Sequence, residues 1–147
     1  MIRIGKLTDY GVVIMNHLAQ GGVLSLSAGE LATQVNMPLP TVSKILKALT
    51  QAGLLCSQRG TKGGYHLSRP AERISLIEII DALEEPLALT QCSSQEGLCA
   101  MESECCVREG WIDINGIIRD TLGQIDLRQL AQKAARKHPS TLKRAGR

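Results

Sequence analysis

Aromatic residues and long apolar runs are scarce in this chain of 147 residues. Phe is absent, and Trp111, Tyr10 and Tyr65 supply the aromatic content of 2%. The core must therefore consist of Leu, Ile, Val, Ala and Met, and a base-stacking platform for single-stranded nucleic acid is not expected. No apolar run reaches the roughly 18 residues that a membrane-spanning helix needs. The first residues carry no leader pattern, so we expect a cytoplasmic protein with no membrane contact.

Motifs of the common catalytic classes are also missing. The sequence has no P-loop, no dinucleotide-binding fingerprint and no Ser/His/Asp set. Its three histidines, His17, His66 and His138, are scattered, and each is expected to be structural rather than a ligand. We therefore expect neither an enzyme nor a small-molecule substrate.

The net charge of +3 is divided into three blocks along the chain. Residues 1–69 contain seven Lys and Arg against two acids, a net charge of +5. Residues 70–132 contain four against twelve, which gives −8, and residues 133–147 contain six and no acid, which gives +6. The basic first block suits a polyanion such as DNA, whereas the acidic middle block argues against DNA there. For the basic tail, a solubilising end is the first interpretation and a DNA-binding arm is the second.

Apolar periodicity and capping signals predict a mainly α-helical chain with one small β-hairpin. Ser27 with Glu30 and Ser75 with Glu78 have the spacing of capping boxes. Cys56 lies between apolar neighbours on the first strand, and we expect it to be buried. Helices are predicted over 7–20, 27–35, 40–52, 75–83, 104–124 and 126–137, and strands over 54–58 and 65–67.

Two short helices that are joined by a tight turn and followed by a hairpin predict a winged helix-turn-helix domain. A long helix then carries an apolar seam, which includes Trp111 and Ile114, and this seam exceeds what one helix can bury. One DNA-binding module gives little affinity, so a double-stranded operator with two half-sites and a homodimer are expected. The expected divisions are a winged domain at 1–85, a cysteine-containing loop at 86–103 whose cluster-binding role is argued from its cysteines below, a dimerisation helix and C-terminal helix at 104–137, and a basic flexible tail at 138–147.

The third helix and the hairpin tip carry the candidate DNA contacts. Ser and Thr can hydrogen-bond to either base type, and Lys can reach guanine or a phosphate. A basic, glycine-rich tip can meet phosphates or enter a minor groove. A solvated helix face beside an ordinary turn is the alternative, and the basic block favours DNA. The candidates are Thr41, Ser43, Lys44 and Lys47 on the helix, and Arg59 and Lys62 at the tip.

Four of the five cysteines lie within fifteen residues. Six residues separate Cys92 from Cys99, five separate Cys99 from Cys105, and Cys106 follows directly. A cytoplasmic protein seldom keeps structural disulfides, so metal or redox chemistry is favoured. Structural zinc sites generally use C-x₂-C pairs, which are missing here. Loose loops of this length can wrap an iron–sulfur cluster, while thiol or zinc chemistry remains the alternative.

These motifs resemble those of the Rrf2 family of bacterial winged-helix regulators, which includes the Isc and Suf cluster-assembly regulators and a nitric-oxide-sensing repressor. The segment LPTVSK at 39–44 is most similar to the Suf-type subgroup. The shared motifs are LTDYG at 7–11, TVSKILK at 41–47, AGLL at 52–55, SQRGTKGGYHL at 57–67 and the three spaced cysteines.

The resemblance implies a homodimer formed through the long helix and a DNA affinity that depends on cluster state. It implies a cluster whose iron is bound by Cys92, Cys99 and Cys105. A 2Fe–2S cluster is the first expectation and a 4Fe–4S cluster the second. The Suf-type likeness implies a repressor of cluster-assembly (suf) genes, and a nitric-oxide-responsive cluster repressor is the alternative.

The fourth cluster ligand stays open at this point. Isc-type members have a histidine three residues after the third cysteine, but Arg108 stands there and cannot ligate because it stays protonated. Asp9 matches a position where some relatives supply a carboxylate, in some of them from the partner subunit. Cys106 is the local alternative, and another residue or a water is the third. An exposed Asp9 with no role in binding is the plainer interpretation of that residue.

Overall fold

The computed structural model describes residues 4–22, 25–84, 86–95, 97, 99–101 and 103–137. A short 3₁₀ turn at Ala71–Arg73 precedes the fourth helix. The expectation of a mainly helical chain with one hairpin is confirmed. In the part of the chain described, no helix is long and apolar enough to cross a membrane. The elements are α1 (Lys6–Gln20), α2 (Ala28–Gln34), α3 (Leu39–Gln51), β1 (Leu55–Gln58), β2 (Gly64–Leu67), α4 (Leu76–Leu83), α5 (Gln91–Ser94), α6 (Arg108–Gly123) and α7 (Leu127–Lys137).

Local capping fixes the starts of α2 and α4, as the sequence predicted. The Ser27 hydroxyl accepts the Glu30 amide at 3.2 Å, and the Glu30 carboxylate accepts the Ser27 amide at 2.8 Å. Ser75 and Glu78 form the same reciprocal box before α4. Each box satisfies amides that the first helical turn would otherwise leave unpaired. At the end of α3, Gly53 has φ 74°, a left-handed conformation that suits a glycine after a helix.

The hairpin is antiparallel and is attached to the helices at one edge. Leu55 pairs with Leu67, and Gln58 pairs with Gly64 next to the turn. Leu26, just before α2, exchanges backbone hydrogen bonds with Tyr65 at 3.1 and 2.8 Å. The wing therefore has a fixed position relative to the helix-turn-helix.

One aliphatic core holds the winged domain together. The buried side chains come from α1, α2, α3, α4 and the start of α7, and Leu54, Leu55 and Ile74 add to them from the start of the hairpin and the segment before α4. α7 returns to this domain, because Leu127 is buried in the core and its amide donates to the Ile74 carbonyl at 2.8 Å. The main members are Ile14, Met15, Leu31, Ile45, Leu46, Leu49, Ile79 and Leu127.

The structure differs from the sequence prediction in three places. α6 begins at Arg108 rather than near residue 104. α5 forms inside a predicted loop, because Thr90 and Ser93 build a capping box that starts a helical turn. The predicted burial of Cys56 is wrong, since only Leu55 of β1 is buried and the two-stranded wing leaves the core after that residue. The predicted tail at 138–147 lies outside the described residues.

Candidate functional site

The third helix presents a polar face opposite its buried stripe. Val42, Ile45, Leu46 and Leu49 are fully buried, which turns the other side of α3 outward. The four predicted contact residues share that outward side. Thr41 is half-buried, and Ser43, Lys44 and Lys47 are exposed. α3 therefore offers two hydroxyls and two ammonium groups on one surface, a set that can contact base edges and phosphates.

The wing tip carries the remaining predicted cations. Arg59 and Lys62 are both exposed. Arg59 precedes a turn closed by a hydrogen bond from the Gly63 amide to the Gly60 carbonyl at 3.0 Å, and Lys62 lies within that turn. Gly60 has φ 117°, which favours glycine. Among the described residues, neither cation pairs with a carboxylate, so both charges stay available to a polyanion.

The cysteine loop holds its thiols at the surface between α4 and α6. Cys92, Cys99 and Cys105 are partly exposed and Cys106 is exposed, and all four are free thiols. Cys92 lies in α5, with its sulfur 3.2 Å from the hydroxyl of Thr90. Thiolates are the usual ligands of iron–sulfur clusters, so the type and accessibility of these donors fit such a group.

The thiols do not form a closed ligand set in this structure. Within the described part of the chain, no three His, Cys, Asp or Glu side chains are grouped so that they could hold a metal ion. Arg108 occupies the first position of α6. Ligation of one cluster by Cys92, Cys99 and Cys105 therefore requires the loop segments to approach one another.

Asp9 is exposed in the first turn of α1, and that turn is anchored from elsewhere. Glu84, at the end of α4, accepts the Gly5 amide at 2.7 Å and the hydroxyl of buried Thr8 at 2.5 Å. A carboxylate at this position also complements the positive end of the helix dipole. Asp9 lines an open recess with Ile4 and Lys6, so its carboxylate is free to meet a ligand or another chain.

Sequence reasoning missed a polar network that joins the loop to α4 and α6. Arg119 forms a two-pronged ion pair with Asp81, with N–O distances of 2.6 and 3.0 Å. The hydrogen bond to Asp81 raises the pKa of Arg119 above its ordinary value. Asn115, one turn earlier, accepts the Leu89 amide at 3.1 Å. Asn115 and Arg119 lie four residues apart and so share one side of α6, but their partners are distant in sequence and no local pattern singles the two residues out.

An apolar surface on α6 has no partner among the described residues. Trp111, Ile114 and Ile117 are 40, 44 and 65% exposed. Large apolar side chains grouped in this way on a surface mark an interaction site more often than a solvent face. The sequence predicted this surplus from the spacing of the seam.

The Rrf2 family, described as "Iron-dependent Transcriptional regulator", matches residues 4–133. A putative HTH-type transcriptional regulator of Neisseria meningitidis is 36% identical over 115 residues, which cover 78% of this chain and 76% of the relative. The HTH-type transcriptional regulator IscR of Xenorhabdus nematophila is 32% identical over 134 residues, 89% of this chain and 80% of that protein.

A solved structure gives the same result for the fold. The global cysteine regulator CymR of Bacillus subtilis matches with a TM-score of 0.71 and 29% identity, over 90% of this chain and 98% of that one. The helix-turn-helix, the basic wing and the family match agree, and the chain is not an enzyme but a DNA-binding transcriptional regulator that belongs to the Rrf2 family.

Proposed function

We propose that this regulator represses its target genes according to the state of an iron–sulfur cluster bound by Cys92, Cys99 and Cys105. The observation that carries the proposal is the position of the three accessible thiols, between the winged domain and the helix with the unpartnered apolar surface. A cluster at this position links both parts of the molecule. We further propose that its target genes are the cluster-assembly (suf) genes, because the motif at 39–44 is most similar to the Suf-type subgroup.

The DNA contacts are assigned to the two outward surfaces described above. Thr41, Ser43, Lys44 and Lys47 enter the major groove from α3, since recognition helices read base edges with their outward residues. Arg59 and Lys62 of the wing contact phosphates or the adjacent minor groove. A homodimer formed through α6 places two such surfaces on two half-sites, which raises affinity and specificity together.

The cysteine chemistry follows from the donor set. A bound cluster would supply a centre that oxygen, nitric oxide or iron shortage can destroy. A 2Fe–2S cluster is the first candidate and a 4Fe–4S cluster the second. Cys92 and Cys99 hold it from the loop, and Cys105 holds it from the residues just before α6. Asp9 is the first candidate for the fourth ligand because its carboxylate is exposed on an anchored helical turn, and Cys106 is the second because its thiol is adjacent to Cys105.

Anaerobic purification with measurement of the visible spectrum and of iron, sulfide and zinc per chain tests the cluster. We expect near-equal iron and sulfide with charge-transfer absorption. The variant Cys92→Ala/Cys99→Ala/Cys105→Ala should be colourless, whereas Cys56→Ala should keep the colour because that thiol lies on the wing. Colour retained by the triple variant would exclude these ligands.

The fourth ligand and the switch need separate measurements. We compare Asp9→Ala and Cys106→Ala for the rate at which air bleaches the visible spectrum. The variant that lacks the true fourth ligand should lose its colour faster. Affinity for double-stranded DNA that the protein selects from a random pool is then measured with and without the cluster. Equal affinities in the two states would rule out the switch, since a ligand shifts function only through a difference in affinity.

A thiol- or zinc-dependent regulator with the same DNA domain is the second candidate. The observation that favours it is that all five cysteines are free thiols. Zinc without sulfide, or no metal after anaerobic reconstitution, would favour this reading. A nitric-oxide-responsive repressor would bind the same cluster and would differ from a regulator of cluster assembly in the signal that it senses. Exposure of the coloured protein to nitric oxide and, separately, to iron chelators distinguishes these two regulators.

A further inference from the structure

The segment that leads into Cys92 is held by side chains of α6. Asn115 is only 5% exposed, and its side-chain carbonyl accepts the Leu89 amide at 3.1 Å. A buried amide group of this kind needs a partner, so the contact fixes the backbone three residues before Cys92. Thr90, the next residue, caps α5 and touches the sulfur of Cys92.

The peptide of Leu87 is held on both sides by one ion pair. Its amide donates to Asp81 at 3.3 Å, and its carbonyl accepts from Arg119 at 3.4 Å. Arg119 and Asp81 also bind each other through two hydrogen bonds. The loop, α4 and α6 therefore meet at one three-way contact, and a shift of any one of them must break or rearrange hydrogen bonds to the others.

α4 connects this contact to the DNA-binding parts of the molecule. Asp81 lies one turn before Glu84, which anchors the first turn of α1 and thereby the residue Asp9. α4 also packs against α3, whose outward face carries the candidate DNA contacts. A chain of contacts thus runs from Cys92 through Leu87 and Asp81 to α1 and to the recognition helix.

We propose that the Arg119–Asp81 pair couples the position of the cysteine loop to α4, and through α4 to the recognition helix. This inference rests on the proposed function in one respect, that a group bound at the loop changes the position of the loop. Arg119 is a positioning residue, since it touches no ligand and acts through Leu87 and Asp81. A planar guanidinium fork suits this role because its two parallel hydrogen bonds to Asp81 fix the orientation of the carboxylate as well as its distance.

Hydrogen–deuterium exchange of the metal-free protein tests the coupling without the cluster. Arg119→Met should raise exchange about three- to tenfold both in the loop segment 86–95 and in α4, as expected when a local restraint is lost. Arg128→Met is the matched control, because Arg128 of α7 forms an exposed ion pair with Glu72 and not with a residue of the loop. A rise confined to 86–95, with α4 unchanged, would overturn the proposal, as would no rise at all.

A second measurement uses the cluster-loaded protein. Loading should slow exchange in both 86–95 and α4 of the natural chain, whereas in Arg119→Met it should slow 86–95 alone. Arg119→Lys keeps the charge but not the fork, and it should restore at most part of the α4 response. An α4 response in Arg119→Met equal to that of the natural chain would sink the coupling.

The two proposals fail in different ways. If no variant and no preparation of the natural chain takes up iron and sulfide, the cluster proposal fails, and the metal-free exchange still decides the coupling. If the cluster loads and alters DNA affinity equally in the natural chain and in Arg119→Met, the cluster proposal holds and the coupling is wrong.

Discussion

At the scale of single residues, the wing tip depends on one glycine. A Cβ at Gly63 would lie 2.1 Å from the carbonyl oxygen of Gln58 and 2.9 Å from the carbonyl carbon of Arg59. Both atoms belong to the backbone and cannot rotate away as a side chain could. The tight turn that presents Arg59 and Lys62 is therefore available only to glycine at this position.

Gly63→Ala should distort the wing tip and leave the core intact. We expect DNA affinity to fall roughly tenfold, because two phosphate or groove contacts lose their geometry. Gly29→Ala is the matched control, since no atom lies within 4 Å of a Cβ built there. Fluorescence anisotropy gives the affinity and thermal unfolding reports the core. Unchanged affinity in Gly63→Ala would remove the tip from the interface.

Arg59→Ala tests the charge of the same tip. The exposed guanidinium has no carboxylate partner in the described chain, so its loss should weaken DNA binding at every sequence. The slope of log affinity against log salt should shrink by about 1, as for one lost phosphate contact. Arg73→Ala, at an exposed arginine outside the wing, should leave the slope unchanged. An unaltered slope in Arg59→Ala contradicts a phosphate contact.

At the scale of elements, the start of α4 is a charged junction. Burial acts to raise the pKa of Glu78, yet hydrogen bonds from the amide and hydroxyl of Ser75 and from Arg69 hold it below the ordinary value of 4.5. The shifted carboxylate thus favours the folded state whenever it is ionised. Its contribution is complete above pH 4.5 and is lost as the pH falls through the lower, folded-state value.

Glu78→Gln should therefore flatten the acid side of the stability profile. The amide can still close the capping box, so the change at neutral pH should be small, about 0.5 kcal/mol, since the carboxylate is partly exposed and screened. The measurement is urea unfolding at pH values from 3 to 7 (roughly the carboxyl range). Glu109→Gln, at an exposed carboxylate on α6, is the control. A natural and a Glu78→Gln profile of equal slope below pH 4.5 would show that the junction contributes nothing.

At the scale of the whole molecule, α6 presents apolar surface that the described chain does not cover. Trp111, Ile114 and Ile117 share this surface, while Asn115 and Arg119 on the same helix hold the loop. One helix thus carries both the uncovered apolar surface and the contacts that hold the loop. If α6 mediates self-association, as proposed above, assembly and the loop depend on the same element.

Ile117→Lys should weaken self-association. A charge in the centre of an apolar interface is costly to bury, and the side chain is exposed, so the core should still fold. We expect the mass in solution, measured by light scattering, to fall from that of two chains to that of one. Leu39→Lys, at an exposed apolar residue on α3, should leave the mass unchanged. A dimer of Ile117→Lys as stable as that of the natural chain would place the interface elsewhere.

Features that depend on neighbours in sequence were determined by the sequence itself. The capping boxes at Ser27 and Ser75, the left-handed Gly53 and the outward face of α3 each involve residues three or four positions apart. The resemblance to the family's motifs also indicated the wing and the spaced cysteines from the sequence. Because these hydrogen bonds and apolar repeats span only a few residues, the sequence pattern is enough to predict the local structure.

Tertiary structure alone decided the features that join distant segments. Arg119 meets Asp81 across 38 residues, and Glu84 meets Gly5 across 79, and no periodicity predicts such pairs. The exposure of Cys56 likewise depends on where the wing leaves the core, although its apolar neighbours indicate burial. Short-range patterns fix which face of an element is apolar. Which element covers that face, and which charge meets which, is determined by how the elements pack in three dimensions.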